Sequence, residues 1–164
     1  QADEDGIPLV VPESAGRGGA EPLVVELPDW REELAYMTRH LRELHESGIA
    51  WRDMAVLYRR TKSASAIEKA LDAADIPQES LASKSKRSAF DANTETVKVL
   101  TMHSSKGLEF RAVAIPGINR MPAENTDATE EARVLYVGMT RAMDHLLVTG
   151  HAAGGFLDQL RAAG

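Results

Sequence analysis

Short apolar runs alternate along the chain with segments whose apolar residues recur at helical spacing, and this pattern limits the fold more than any other feature. The near-continuous apolar run 54–58 is typical of a strand buried on both faces, as in a parallel sheet. The alternation predicts an α/β fold, an open and mostly parallel sheet with helices on both faces. Further strands are predicted over residues 22–27, 97–102, 112–115 and 145–149.

Helix signals lie between these runs. Asp29 and Glu32 have the spacing of a capping box, and Gly48 is placed to end the helix that follows. A polar segment, residues 78–95, predicts a surface connection; its cations are Lys84, Lys86 and Arg87. Further helices are predicted over residues 67–74, over about 129–141, and through Leu157 and Leu160.

Length, composition and net charge limit the class of protein. A chain of 164 residues is long enough for one domain with an apolar core, which we place at residues 21–164 after a Gly-rich, flexible lead-in at 1–20. The absence of Cys excludes disulfides, Cys-based zinc sites and iron–sulfur clusters. A net charge of −6 argues against a freestanding nonspecific DNA binder, although a local basic groove stays open. No segment approaches the ~18 apolar residues of a membrane span, so we expect no membrane partner.

Polar and cationic residues lie where the predicted elements end. Ligands of open parallel sheets bind beyond the carboxyl ends of the strands, so residues at element ends are read first for chemistry. Tyr58 and Arg59 leave one buried strand, the segment 101–110 leaves the next, and Thr140 and Arg141 end the third long helix. A guanidinium is always charged and can bind two phosphate oxygens at once. These positions therefore predict contact with a polyphosphate or a nucleic acid.

The chain also lacks two features that a complete nucleotide hydrolase needs. It contains no Gly-x-x-x-x-Gly-Lys-Ser/Thr phosphate loop, and Gly107 follows Lys106 in the wrong order for one. It also has no acidic pair after an apolar strand that could hold Mg²⁺. Arginines without a phosphate loop predict a domain that closes over a nucleotide held elsewhere.

Three segments resemble motifs of the UvrD/PcrA/Rep-type superfamily 1 DNA helicases. DMAVLYRR (53–60) resembles motif IV, VLTMHSSKGLEF (99–110) resembles motif V, and EEARVLYVGMTRA (130–142) resembles motif VI. The resemblance covers about residues 22–150 and implies the second, RecA-like motor domain (2A), which is P-loop NTPase-like but lacks the phosphate loop. Only about 38 residues, 61–98, separate the first two segments, so the large inserted 2B domain of longer relatives is not expected here.

The resemblance also implies roles for single residues. It implies catalytic contact with the γ-phosphate of ATP for Arg59 and Arg141, which are therefore expected to converge on one ligand. It implies contacts with ATP for four residues: Tyr58, on which adenine would stack, and Gly107, Glu109 and Thr140. It implies contacts with the DNA strand for Thr101 and His103. The Mg²⁺ ligands are expected on the first motor domain, and no metal site is expected in this chain.

Structural alternatives stand beside these roles. Tyr58 also fits a core aromatic at the sheet edge, and His103 fits a structural histidine. Arg141 also fits a cation that stabilises the C-terminal dipole of the third helix, a role that can coexist with phosphate contact. Glu109 could instead pair with Arg111.

By the resemblance, the chain is half of an ATP-driven DNA helicase that moves 3′ to 5′ on single-stranded DNA, unwinds duplex DNA in repair, and works in the cytoplasm. Its partner would be the N-terminal RecA-like domain of the same parent. Because Gln1 is not Met, we expect a part of a longer protein, inactive alone. Two alternatives stay open: a catalytically inert helicase-like module that binds a protein or nucleic acid, and a self-contained nucleotide enzyme, against which the missing phosphate loop argues.

Overall fold

Six parallel strands form a single sheet in the computed structural model, which describes residues 9–12, 20–81, 91 and 93–163. The strands are β1 (Leu23–Glu26), β2 (Met54–Tyr58), β3 (Gln78–Ser80), β4 (Val97–Thr101), β5 (Phe110–Ile115) and β6 (Ala142–Gly150). Their order across the sheet is β1-β6-β5-β2-β4-β3, and every pairing is parallel. The predicted open α/β sheet is therefore confirmed.

Within the described residues, four α-helices cover the sheet: α1 (Trp30–Glu46), α2 (Ala64–Ala73), α3 (Ala128–Met139) and α4 (Gly155–Ala163). The predicted cap of α1 is confirmed, because the Asp29 carboxylate accepts a hydrogen bond from the Glu32 backbone N–H at 2.8 Å. Asp127 caps α3 in the same way, accepting from the Thr129 backbone N–H at 2.9 Å. These caps satisfy amide groups that have no partner inside the helix.

The two faces of the sheet bury separate apolar clusters. Met54, Val56 and Tyr58 of β2 pack with α1 and α2, whereas Ala55 and Leu57 pack with α3 and α4. This division follows from the two-residue period of a strand, which sends successive side chains to opposite faces. A residue that continues the Leu57 side of β2 is therefore directed toward α3.

Two sequence expectations differ from the structure. Gln78–Ser80, predicted as part of a surface connection, forms the edge strand β3 and pairs with β4. Leu9, predicted within a flexible lead-in, is only 5% exposed and packs in the α3–α4 cluster. Lys84, Lys86 and Arg87, like most of residues 1–20, lie outside the described residues.

Candidate nucleotide and DNA site

The strand registers divide the eight predicted site residues into two groups. Tyr58 pairs with Thr101, so the residues that follow β2 and β4 lie together at the carboxyl ends of the strands. We call the first group the carboxyl edge: Tyr58, Arg59, Thr101 and His103. Phe110 pairs with Ala142, so the residues that precede β5 and β6 lie together at the opposite ends of the strands. We call the second group the amino edge: Gly107, Glu109, Thr140 and Arg141.

At the carboxyl edge, Arg59 is held by a buried carboxylate. Its Nε and Nη2 both donate to Glu131 Oε2, at 2.8 and 2.6 Å, and the Glu131 side chain is 3% exposed. The other oxygen, Glu131 Oε1, is buried and has no hydrogen-bond donor among the described residues. Arg59 is therefore the group that offsets the charge of Glu131, because a buried carboxylate without such a partner is strongly unfavourable.

Tyr58 lies in the core of the α1–α2 face. Its side chain is 1% exposed and packs in the same cluster as Met54 and Val56. This matches the structural alternative that the sequence left open. Neither face of a ring this deeply buried is accessible to a base, so adenine stacking stays a prediction that would require the ring to move.

Thr101 and His103 begin the turn after β4. Thr101 Oγ1 bonds to Ser104 Oγ at 2.9 Å and accepts from the Ser104 backbone N–H at 3.1 Å, which fixes the start of the turn. His103 is exposed, and its carbonyl accepts from the Lys106 N–H. Met102, between them, is buried and directed inward. The turn thus presents the His103 ring outward, while Met102 anchors it.

At the amino edge, Arg141 is held by neutral acceptors. Its Nε donates to the Val137 carbonyl at 3.0 Å, Nη1 to the Leu108 carbonyl at 3.0 Å, and Nη2 to Thr140 Oγ1 at 3.2 Å. A guanidinium has five N–H donors, so these bonds leave two without a partner among the described residues. No carboxylate pairs with Arg141 within the part of the chain that the structure describes. Its position is fixed while its positive charge stays uncompensated.

Of the remaining amino-edge residues, Thr140 contacts this guanidinium, and Gly107 and Glu109 flank Leu108, whose carbonyl accepts from it. Thr140 Oγ1 also bonds to the carbonyls of Tyr136 and Val137, which closes the last turn of α3. Gly107 has φ +88°, a conformation that strains any residue with a Cβ. Glu109 is exposed, and Arg111, which could have paired with it, bonds to Asp144 instead. The contact with the Val137 carbonyl also gives Arg141 the dipole role that the sequence allowed.

The structure does not bring Arg59 and Arg141 together. Arg59 lies three residues beyond Val56, which pairs with Ala114, whereas Arg141 precedes Ala142, which pairs with Phe110. Along the strands this offset is roughly 25 Å at ~3.3 Å per residue. Their guanidinium groups bond to opposite ends of α3. The expected convergence on one phosphate therefore has no support in this geometry, and the single roles of the two arginines stay predictions.

A cavity of about 220 Å³ opens at the carboxyl edge beside Arg59. Its wall includes the buried Met102 and Met121 and the carboxylate of Glu131, and its exposed cations are Arg60, Lys62 and Arg120. Glu131 is not among the site residues predicted from the sequence. A usable signal existed, because Glu131 lies one turn before Leu135 on the apolar stripe of α3, where a carboxylate must find a buried partner.

A second buried carboxylate, Glu33 of α1, organises the ends of β5 and β6. Its Oε1 accepts from the Gly117 backbone N–H at 2.8 Å and from Thr149 Oγ1 at 2.6 Å. Its Oε2 contacts His151 Nδ1, and the His151 ring lies edge-on to Trp30. These bonds hold α1 against the carboxyl edge, close to the cavity that Gly117 also lines.

Two absences hold for the residues that the structure describes. No group of three or more His, Asp or Glu side chains in them is arranged to hold a metal ion. None of their helices combines the length and the apolar character required to cross a bilayer.

Known proteins resemble this chain in sequence. Residues 78–153 match the model of the UvrD-like helicase C-terminal domain. ATP-dependent DNA helicase Rep of Buchnera aphidicola (Schizaphis graminum) is 48% identical over 59 residues, and DNA helicase II of Escherichia coli is 41% identical over 66 residues. These alignments cover 32% and 36% of this chain and 9% of each relative. A probable DNA helicase of Mycoplasma pneumoniae is 26% identical over 158 residues, 90% of this chain and 27% of the relative.

A solved structure supports the fold. The C-terminal domain of a possible DNA helicase from Lactobacillus plantarum WCFS1 superposes with a TM-score of 0.67 at 23% identity, covering 85% of this chain and 79% of that one. The sheet is thus RecA-like, as predicted. The family match includes the turn after β4 and the whole of α3. Residues 78–153, slightly under half of the chain, are thus similar to the UvrD-like helicase C-terminal domain.

Proposed function

We propose that this chain is the C-terminal motor domain of an ATP-dependent DNA helicase that moves 3′ to 5′ along single-stranded DNA and unwinds duplex DNA. The observation that supports this most directly is the state of Arg141. Its guanidinium is held by three neutral acceptors and has two N–H donors to spare. A cation that is fixed in place but not neutralised is suited to a negatively charged ligand.

Arg141 would stabilise the charge that develops on a transferring phosphoryl group. Because its bonds to Val137 and Leu108 already fix its orientation, little reorganisation is needed when the charge appears. Gly107 and Glu109 precede β5 beside it and would contact the same nucleotide, and Thr140 would hold the turn. In this proposal Arg59, at the other edge, holds the first turn of α3 in place through its pair with Glu131.

Thr101 and His103 would contact the DNA strand at the carboxyl edge. The exposed His103 ring can donate a hydrogen bond to a phosphate oxygen, and Arg60, Lys62 and Arg120 supply positive charge around the adjacent cavity. Because these cations form a local basic region, the net charge of −6 does not argue against DNA contact at this edge.

The other half of the reaction belongs to a partner domain. We propose that the N-terminal RecA-like domain of the same parent protein holds ATP, supplies the phosphate loop and the Mg²⁺ ligands, and positions the attacking water. Mg²⁺ would neutralise phosphate charge there. The chain alone would then hydrolyse no ATP, and the parent would act in the cytoplasm, in DNA repair.

Arg141→Ala in the parent protein tests this proposal. An arginine at a transferring phosphoryl group contributes roughly 10³-fold or more to the rate, so the variant should lose about that factor in kcat for DNA-stimulated ATP hydrolysis. Arg111→Ala is the matched control, because Arg111 also lies at the amino edge but pairs with Asp144. Steady-state ATPase assays with single-stranded DNA and thermal melts measure both effects.

Unchanged turnover in Arg141→Ala, with the melting temperature kept, would contradict the role of Arg141. A wild-type parent that binds DNA but hydrolyses no ATP would instead favour the inert binding module. Hydrolysis by residues 1–164 alone would favour the self-contained enzyme.

A further inference from the structure

We propose that α3 couples the DNA residues of the carboxyl edge to Arg141, with Glu131 and Gly138 as the positioning residues of this coupling. The inference rests on the proposed function, since it assigns a role to the element between the two proposed contact regions. Two contacts attach α3 to the carboxyl edge, and Arg141 follows its last turn.

The first contact joins the turn after β4 to Gly138. Met102 lies between the proposed DNA residues Thr101 and His103, and its side chain is buried under α3. A Cβ added at Gly138 would lie 3.1 Å from Met102 Cγ and 3.3 Å from its Sδ, so only glycine permits this approach without displacement. A shift of the DNA-contacting turn is therefore transmitted to α3 at Gly138.

The same glycine is bonded to the backbone of Arg141. The Gly138 carbonyl accepts from the Arg141 N–H at 3.2 Å and from the Thr140 N–H. Arg141 in turn bonds to the Val137 carbonyl. Met102, Gly138 and Arg141 thus form a continuous path of contacts from one edge of the sheet to the other.

The second contact fixes the first turn of α3. Glu131 receives both hydrogen bonds of Arg59, which directly follows β2, and has no other donor among the described residues. The Met102 N–H donates to the Tyr58 carbonyl at 2.9 Å, so the ends of β2 and β4 are themselves joined. The first turn of α3 and Gly138 are therefore held by the same edge, and α3 would move with it as a unit.

The test is the DNA stimulation of ATP hydrolysis in the parent protein, measured as the ratio of kcat with and without a single-stranded oligothymidylate. Glu131→Gln removes the buried charge with almost no change in volume, and Gly138→Ala adds the Cβ that meets Met102. In both variants we expect the ratio to fall roughly fivefold or more, the lower end of typical coupling between two sites. The basal kcat without DNA should stay within about twofold, because neither residue is proposed to touch the nucleotide.

Asp144→Asn is the matched control, because it breaks the exposed Arg111–Asp144 pair at the amino edge and should leave the ratio unchanged. Ratios equal to wild type in both test variants, with cooperative melting retained, would overturn the coupling. If one variant does not melt cooperatively, the ratios measured for the other variant and for Met102→Leu decide. Met102→Leu alters the shape of the side chain that meets Gly138. A wild-type parent without DNA stimulation would count against the proposed function itself, which is a different outcome.

Discussion

Arg59 and Arg141 are both partly buried arginines bonded to α3 or its C-terminal cap, yet the two edges of the sheet provide them with different hydrogen-bond acceptors. Arg59 gives two N–H donors to one carboxylate oxygen of Glu131. Arg141 gives three to two backbone carbonyls and a hydroxyl. The carboxylate cancels the charge of Arg59, whereas the neutral acceptors orient Arg141 and leave its charge in place.

This difference fits a structural role for Arg59 and the ligand-binding role proposed for Arg141. A cation that neutralises a buried anion contributes mainly to the stability of the fold, because its removal leaves that anion unpaired. A cation held only by dipoles can still offer its charge to a phosphate. The acceptor of each guanidinium, rather than its exposure, thus distinguishes the two edges of the sheet.

The largest effect on stability is expected from Arg59→Ala. The substitution leaves the Glu131 carboxylate, 3% exposed, without a partner, so we expect a loss of about 3 kcal/mol in the free energy of unfolding. Urea unfolding of this chain measures it. Arg52→Ala is the control, because its pair with Glu95 is about half exposed on both sides and should be worth at most about 1 kcal/mol. Equal losses in the two variants would contradict a special stabilising role for the buried Arg59–Glu131 pair.

Lys98 of β4 is a third cation held by hydrogen bonds. Unlike an arginine, it can lose its charge by deprotonation. Its side chain is fully buried, and Nζ donates to the carbonyls of Thr94 and Thr96 and to Thr96 Oγ1, all at 2.8 Å. Burial lowers the pKa of Lys98, and the nearby Glu79 opposes this shift. Between the lowered value and 10.5, the unfolded chain therefore binds more protons than the folded one.

Stability should accordingly rise with pH across that interval, by at most roughly 1.4 kcal/mol per pH unit for one proton. Lys98→Met should remove this part of the slope. Urea unfolding of both chains at several pH values below 10.5 tests the sign. A wild-type slope no steeper than that of Lys98→Met would show that Lys98 keeps its proton.

The smallest effect is expected from Thr140→Ala. The variant loses the hydroxyl that bonds to Tyr136 and Val137 and accepts from Arg141, so we expect a loss of about 1 kcal/mol in unfolding free energy. Thr38→Ala is the matched control, since Thr38 Oγ1 bonds to the Ala35 carbonyl in α1, away from both edges. In the parent, kcat should fall less than tenfold for Thr140→Ala and stay unchanged for Thr38→Ala, which ATPase assays resolve.

Much of the fold could be predicted because its signals are local. The bounds of β2 were predicted as Met54–Tyr58, since a strand buried on both faces is a continuous apolar run. The Asp29 cap could be predicted because its partner is three residues away. β3 was missed because an edge strand of three residues, Gln-Glu-Ser, carries no apolar pattern.

The candidate site was predicted less completely. The sequence shows that Arg59 follows a strand and that Arg141 follows a helix. In a parallel α/β sheet the helix returns the chain to the amino ends of the strands, so the two arginines belong at opposite edges. This topology argues against the convergence of both arginines on one phosphate that the resemblance implies.

The sequence by itself determined where most of the strands and helices form and which family the motifs resemble, because these depend on periodicity and on neighbours a few residues apart. Only the tertiary structure decided that Arg59 pairs with Glu131, 72 residues later, and that Met102 packs against Gly138. Such partners depend on which side chains share a buried volume. Burial sets the cost of an unpaired charge, and no local pattern in the chain specifies which residue will offset it.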